Sequence, residues 1–190
     1  MCGGADLDMR IVDLSDAFSL EQYTRDPHFG THIDSPSYLF GDGKRIEEFG
    51  LERFMTDAAL LDLTHKRPGQ PIDDEDLEAA EEEAGLALRE GESIILYTGA
   101  SGSSPGVYLS RNGAEYLEFK GVGLVGIDTA NIDGAQSEMP AHRVLLRKEI
   151  FVLEGLRYLD AIDSSRFRLA SFPLKLSGAI SPVRAVAILE

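Results

Sequence analysis

The sequence predicts an α/β fold in which a β-rich mixed sheet is covered by helices. Two observations carry that expectation. Short runs of β-branched and aliphatic residues alternate with helical patterns through the middle of the chain, and such runs crowd together towards its C-terminal end. With 190 residues, 43% of them hydrophobic, the chain can close one sizeable core, and no linker-like stretch divides it. A single domain over residues 1–190 is therefore expected.

In chain order, the strand candidates are residues 10–14, 58–63, 93–98, 124–128, 150–154, 167–172 and 183–189. The first helical pattern covers residues 73–88. Its apolar positions Leu77, Ala80, Ala84, Leu86 and Leu88 form a narrow stripe, and Pro71 suits the start. The acidic run in that segment reads as the solvated face of a surface helix. A second helix is expected over residues 110–119, with Ser110 as its N-cap. The Gly/Ser/Pro stretch 99–106 reads as a loop after a strand.

Composition excludes several classes of function. Eighteen Lys+Arg against 33 Asp+Glu leave a formal charge of −15. That balance argues against nucleic acid, because a polyphosphate needs a basic face that releases its counterions. It argues equally against an anionic membrane surface. No apolar run approaches the length of a spanning helix, and residues 1–8 have neither the basic nor the apolar region of a signal peptide. Cys2 is the only cysteine, which excludes an internal disulfide and a Cys-ligated metal site. A reduced, cytoplasmic protein is expected.

Three motifs resemble functional signatures without their context. Gly121, Gly123 and Gly126 match G-x-G-x-x-G, but an apolar strand follows where a dinucleotide site needs a helix N-terminus. The glycines read instead as a turn into a buried strand. The segment Gly99-Ala100-Ser101-Gly102-Ser103 approaches a nucleophile elbow, and Ser101, then Asp128 or Asp133, then His142 follow in hydrolase order. Ser103 replaces the closing glycine, however, and Ser104-Pro105-Gly106 does not open a helix. His65 stands alone at a strand end and reads as a surface or capping residue.

The segment His28-Phe29-Gly30-Thr31-His32-Ile33-Asp34-Ser35-Pro36 is different in kind. In an extended chain, positions 28, 30, 32 and 34 share one side, so two imidazoles and a carboxylate would converge with Gly30 leaving room between them. Imidazole nitrogen together with carboxylate oxygen suits Zn²⁺ or Mn²⁺. The bland alternative is two unrelated loop histidines beside a turn aspartate. With four histidines in 190 residues, that coincidence is the less expected reading.

These residues resemble the cyclase family of metal-dependent hydrolases, whose members include bacterial kynurenine formamidase. The family signature H-x-G-T-H-x-D-x-P-x-H is matched from His28 through Pro36 at every fixed position. Residues 46–54 and 58–63 look like the helix and strand that follow it, residues 124–129 like an inner strand, and residues 141–146 with 153–156 like a second metal segment. Residues 172–176 and 181–185 look like the closing strands.

The resemblance implies a cyclase-like fold of the swivelling β/β/α type. It places His28, His32 and Asp34 at one metal, and Asp34, His142 and Glu154 at a second, with Asp34 bridging. Glu154 ends the apolar run 150–153, where a carboxylate is costly unless paired or metal-bound, and that supports the assignment from the residues themselves.

The sequence departs from the family twice. Tyr38 stands where the signature ends in its acid/base histidine. A phenol can donate a hydrogen bond to an oxyanion but shuttles protons poorly at neutral pH, so Tyr38 becomes the catalytic candidate with Glu154 assisting. The stretch between the first strand and the motif, residues 15–27, is also short for the family. Members commonly carry more chain there to shape the pocket and the subunit contacts.

The implied activity is metal-assisted hydrolysis of an amide or a cyclic amide or ester, in the manner of an arylformamidase. It would act on a small molecule, with one or two Zn²⁺ (or Mn²⁺) ions, in a homodimer or larger homo-oligomer. The rival is a metal-stabilised binding protein of the same fold, its catalysis lost or altered with the histidine.

Overall fold

The computed structural model describes residues 9–101, 106–136 and 138–189. Nine strands form one mixed sheet: β1 (Arg10–Asp13), β2 (His32–Asp34), β3 (Met55–Asp62), β5 (Ser93–Tyr97), β7 (Leu124–Ile127), β8 (Phe151–Glu154), β9 (Arg166–Ala170), β10 (Ile180–Pro182) and β11 (Val186–Leu189). Short strands β4 (Pro71–Ile72) and β6 (Tyr108–Leu109) pair separately. The helices are α1 (Leu20–Arg25), α2 (Asp74–Glu83), α3 (Arg111–Phe119) and α4 (Pro140–Arg147). No helix among the described residues is long and apolar enough to cross a membrane.

The sheet order is β1-β11-β9-β3-β5-β7-β8-β2-β10. Its centre, β3 to β8, is parallel, and antiparallel strands extend it on both sides. Helices α2, α3 and α4 make the crossovers between successive parallel strands, as parallel pairing requires. Side chains alternate across the central strands. Ile94, Leu96, Val125, Ile127 and Val152 join the helix-covered cluster, while Ile95, Leu124, Phe151 and Leu153 join a second cluster on the opposite face.

That second cluster explains the shape of the sheet. It includes Leu14, Ala187 and Leu189 from one end of the strand order and Ile33 from the other. Only residues 183–185 separate β10 from β11, although β10 is an edge and β11 lies next to the opposite edge. So short a connection reaches roughly 14 Å at most, so the sheet must curl until its ends lie side by side. Burial of Ile33, Ile95, Phe151 and their neighbours, at about 1.5–3 kcal/mol for each large apolar side chain, favours the curl.

All seven expected strands are present, with ends that shift by a few residues. The helix expected to reach Leu88 stops at Glu83 because Gly85 adopts φ +63 and Leu86 N–H bonds back to the Glu81 carbonyl, a Schellman stop. Leu86 and Leu88 pack on the core from beyond the helix. Ser110 caps α3 as expected, accepting from Gly113 N–H.

The expected helix over 46–54 is two 3-10 turns, Ile46–Glu48 and Leu51–Phe54, which bury Ile46 and Phe54 without a continuous helix. Residues 172–176 contribute a single bridge, Pro173 to Val183, rather than a closing strand; Pro173 cannot donate to a ladder. The glycines at 121–126 do lead into buried β7, and no helix follows before α4.

Candidate metal centre

Strand β2 lies antiparallel between β8 and β10, with His32 opposite Glu154 and Asp34 opposite Val152. This register puts His32, Asp34 and Glu154 on one face and sends Ile33 and Leu153 into the apolar cluster behind it. Glu154 ends β8 beside the carboxyl end of β7, where open parallel sheets commonly build their sites.

The extended reading of positions 28–34 holds only for its second half. The strand begins at His32, and residues 28–31 form a turn in which Gly30 takes φ +78. Gly30 does not leave room for an ion, as alternation had suggested. A β-carbon there would lie 2.7 Å from the Phe18 ring, so glycine serves the turn and the packing against Phe18. The same turn carries His28 back over the strand. His28 Nδ1 stands 3.1 Å from His32 Nε2 and 3.9 Å from Asp34 Oδ1. The Gly30 carbonyl accepts from His32 Nδ1 at 3.0 Å, which turns Nε2 towards Glu154 Oε2 at 3.2 Å and Asp34 Oδ1 at 4.0 Å.

His142 reaches the same place from the first turn of α4. Its Nε2 is 3.2 Å from Asp34 Oδ2 and 3.5 Å from Glu154 Oε1. All five sequence-predicted ligands therefore meet: His28, His32, Asp34 and Glu154 form one group, and His142 adjoins it through Asp34 and Glu154.

The residues fit divalent cations on the structure's own terms. Asp34 is fully buried, and its Oδ1 has no hydrogen-bond partner although two imidazole nitrogens face it. An unpartnered buried carboxylate oxygen is costly, and a cation would offset that cost. Ligand atoms of His28, His32, Asp34 and Glu154 lie within 4.8 Å of one another, and a nitrogen–oxygen donor set suits Zn²⁺ or Mn²⁺.

Without a cation the cluster holds protons. Burial pushes the His32 imidazole down, but the Glu154 and Asp34 carboxylates more than offset this and hold it at about 9. Burial acts likewise on His142, and Asp133 with Asp34 brings it to about 10. Glu154 is held below the usual carboxylate range: burial would raise it, and the bond from His32 and the nearby imidazoles prevail.

Tyr38 closes the 3-10 turn Pro36–Tyr38, which follows β2 directly. Its ring lies 5.0 Å from that of His28 and 5.7 Å from that of His142, centre to centre. Burial and the Asp34 and Glu154 charges push its phenol up, so it stays protonated at neutral pH. His28, Tyr38, His142 and Glu154 border a cavity of about 460 Å³, whose wall also includes Asp128 and Arg157.

The serine-hydrolase order is not assembled. Ser101 meets Arg157, and Asp128 accepts from Thr98 and Gly99. His142 does pair with Asp133, one of the two aspartates considered, but its other nitrogen faces Asp34 and not Ser101. Ser103, Ser104 and Pro105 of that segment lie outside the described residues, as does Cys2. His65 is an exposed turn residue.

One residue beside the centre escaped the sequence reading in its actual place. Asp133, considered only as a triad member, is fully buried, and its Oδ2 is 2.5 Å from His142 Nδ1. Asp133-Gly134 reads locally as an ordinary turn, so no pattern in the sequence marks it.

A profile of the family described as "Putative cyclase" matches residues 6–134, which include His28, His32 and Asp34. The kynurenine formamidase of Geobacillus thermodenitrificans (strain NG80-2) is 33% identical over 178 residues, covering 90% of this chain and 80% of its own. That of Bacillus cereus (strain ATCC 14579) is 30% identical over 179 residues, covering 90% and 81%.

Among solved structures, one described as a potential metal-dependent hydrolase with cyclase activity superposes with a TM-score of 0.81 at 26% identity, covering 95% of this chain and 98% of that one. Isatin hydrolase A from Ralstonia solanacearum shares the fold, with a TM-score of 0.83 at 21% identity over 96% and 93%. With the signature residues folded into one cluster, buried except at His28, and the similarity running nearly end to end, this chain belongs to the cyclase family of metal-dependent hydrolases.

Proposed function

We propose that the chain, acting as one domain over residues 1–190, is a hydrolase that opens a non-peptide C–N bond with the help of one or two divalent cations. The default substrate is an N-formyl aryl amine, in keeping with the kynurenine formamidases it resembles. A cyclic amide or ester of isatin-like size is the second choice. The observation that carries the reading is Asp34 Oδ1, buried and unpartnered at the meeting point of two imidazoles.

His28, His32 and Asp34 would hold one cation, and Asp34, His142 and Glu154 the other, as Zn²⁺ or Mn²⁺. A cation bound there supplies Lewis acidity, lowering the pKa of water towards ~7 and polarising a carbonyl. The chain's own groups do the rest. Tyr38 donates its O–H to the oxyanion that develops as the carbonyl is attacked; its raised pKa suits a donor and not a base. Glu154, kept ionised at the cavity wall, takes up the proton released by the attacking water and returns it to the nitrogen as the C–N bond breaks, so that acid and free amine are formed. The cavity of about 460 Å³ has room for a small one- or two-ring substrate.

Tyr38 also favours a second reading, a binding protein of the same fold with altered catalysis. Hydrolysis of a panel of N-formyl anilines and small lactams by the cation-loaded chain separates the two. Turnover supports the hydrolase, and cation retention without turnover on any member supports the binding protein. A homodimer or larger assembly belongs to the same proposal. Leu20, 77% exposed, with Leu174 and Leu176 lines an apolar groove of about 760 Å³ beside the short segment before the motif. A cytoplasmic setting is proposed from composition alone.

A further inference from the structure

We propose that Asp133 is a positioning residue for the second cation position alone, the one bordered by Asp34, His142 and Glu154. The inference rests on the metal-centre reading above and assigns separate supports to its two halves.

Three N–H groups of one helical turn converge on the buried Asp133 carboxylate. Ala141 N–H donates to Oδ1 at 2.6 Å, while His142 N–H at 3.3 Å and His142 Nδ1 at 2.5 Å reach Oδ2. The backbone bonds anchor the start of α4, whose N-cap Met139 makes no side-chain cap bond. The side-chain bond acts on the imidazole. An ionised carboxylate only accepts, so Nδ1 carries the hydrogen, and Nε2 is the nitrogen turned to Asp34 and Glu154.

The residue before it holds the other ligand. Ile132 N–H donates to Glu154 Oε1 at 2.7 Å. That bond serves both halves, because Glu154 Oε2 faces His32 while Oε1 faces His142; Asp133 itself, among the bonds of this loop, reaches only the turn that carries His142. The first position is held differently. Asp34 and His32 are fixed by the β2 register, and His32 is turned by the Gly30 carbonyl. None of those bonds involves Asp133. The two positions are separable by substitution of Asp133.

The test is Mn²⁺ titration of the full chain, stripped of metal, followed by calorimetry and by electron paramagnetic resonance, for wild type, Asp133→Asn and Asp133→Ala. The asparagine keeps the volume, but its NH₂ cannot accept, so one of the converging N–H groups loses its partner. Wild type should bind two ions and show the spectrum of a coupled pair. Asp133→Asn should keep the first ion at wild-type affinity and bind the second about 10–100-fold more weakly, with the spectrum of an isolated ion. Circular dichroism of the metal-free variants checks folding; should the alanine variant fail to fold, the asparagine variant decides.

Two ions at wild-type affinity in Asp133→Asn overturn the inference. So does equal weakening of both positions, which would mark a general structural role, and so does a wild type that binds one ion. A wild type that binds none overturns the metal-centre reading first, and the inference falls with it.

Discussion

Replacing Tyr38 by phenylalanine removes one oxygen from the wall of the centre and little else. The ring sits tilted against His28 at 5.0 Å and edge-on to His142 at 5.7 Å, and it packs on the helix-side core, contacts that phenylalanine keeps. The hydroxyl's recorded partner is the Met139 sulfur at 4.0 Å, a weak acceptor at the limit of contact. Loss of that bond should shift stability by no more than about 0.5 kcal/mol. If the hydroxyl stabilises an oxyanion, its loss should cost about 2.7–4 kcal/mol in the transition state, or roughly 10²–10³ in kcat.

The assay is steady-state hydrolysis of an N-formyl aniline by wild type and Tyr38→Phe, with cation content and thermal melting measured on the same samples. The expected result is a large fall in kcat at unchanged cation content and unchanged melting temperature. Tyr38→His should preserve or raise formamide hydrolysis, because imidazole titrates near neutrality. An unchanged kcat for Tyr38→Phe on a substrate that wild type turns over would refute the donor role and leave Tyr38 as packing.

Two further outcomes follow from the geometry. Gly30→Ala places a β-carbon at φ +78 and 2.7 Å from the Phe18 ring, so it should lower stability by about 1–3 kcal/mol in urea unfolding and weaken cation uptake by moving the carbonyl that holds His32. The protons held by His32 and His142 set the pH dependence. Their metal-free values of about 9 and about 10, against 6.5 for a free imidazole, contribute stability in full below pH 6.5 that is lost as pH rises through 9 to 10. The urea midpoint of the metal-free chain should therefore fall over that window, while cation uptake tightens with rising pH and releases protons, measurable by calorimetry in two buffers of different ionisation enthalpy.

How much of this was readable from the sequence depended on distance along the chain. His28, His32 and Asp34 lie within seven positions, so their spacing alone suggested a cluster, even though the alternation argument failed at Gly30, where backbone geometry replaced extension. Strands such as 93–98 and 124–128 were readable because they are buried on both faces and nearly continuous in apolar residues. Helix α4 was not, and His142 was reached only through the family resemblance, because that helix is short and its placement depends on Asp133, across a loop. Glu154 announced itself as a carboxylate at the end of an apolar run, but its pairing with His32 needed the strand register. The curl of the sheet likewise came from the short β10–β11 connection, which has no local pattern.

Cation content tests the central claim most directly. Elemental analysis of the purified full chain, before and after soaking in Zn²⁺ or Mn²⁺, should give one to two ions per chain. Asp34→Ala, which removes the carboxylate facing His28, His32 and His142, should abolish most of that uptake while the metal-free protein still melts cooperatively. A wild-type chain that carries no transition metal and takes none up would contradict the account.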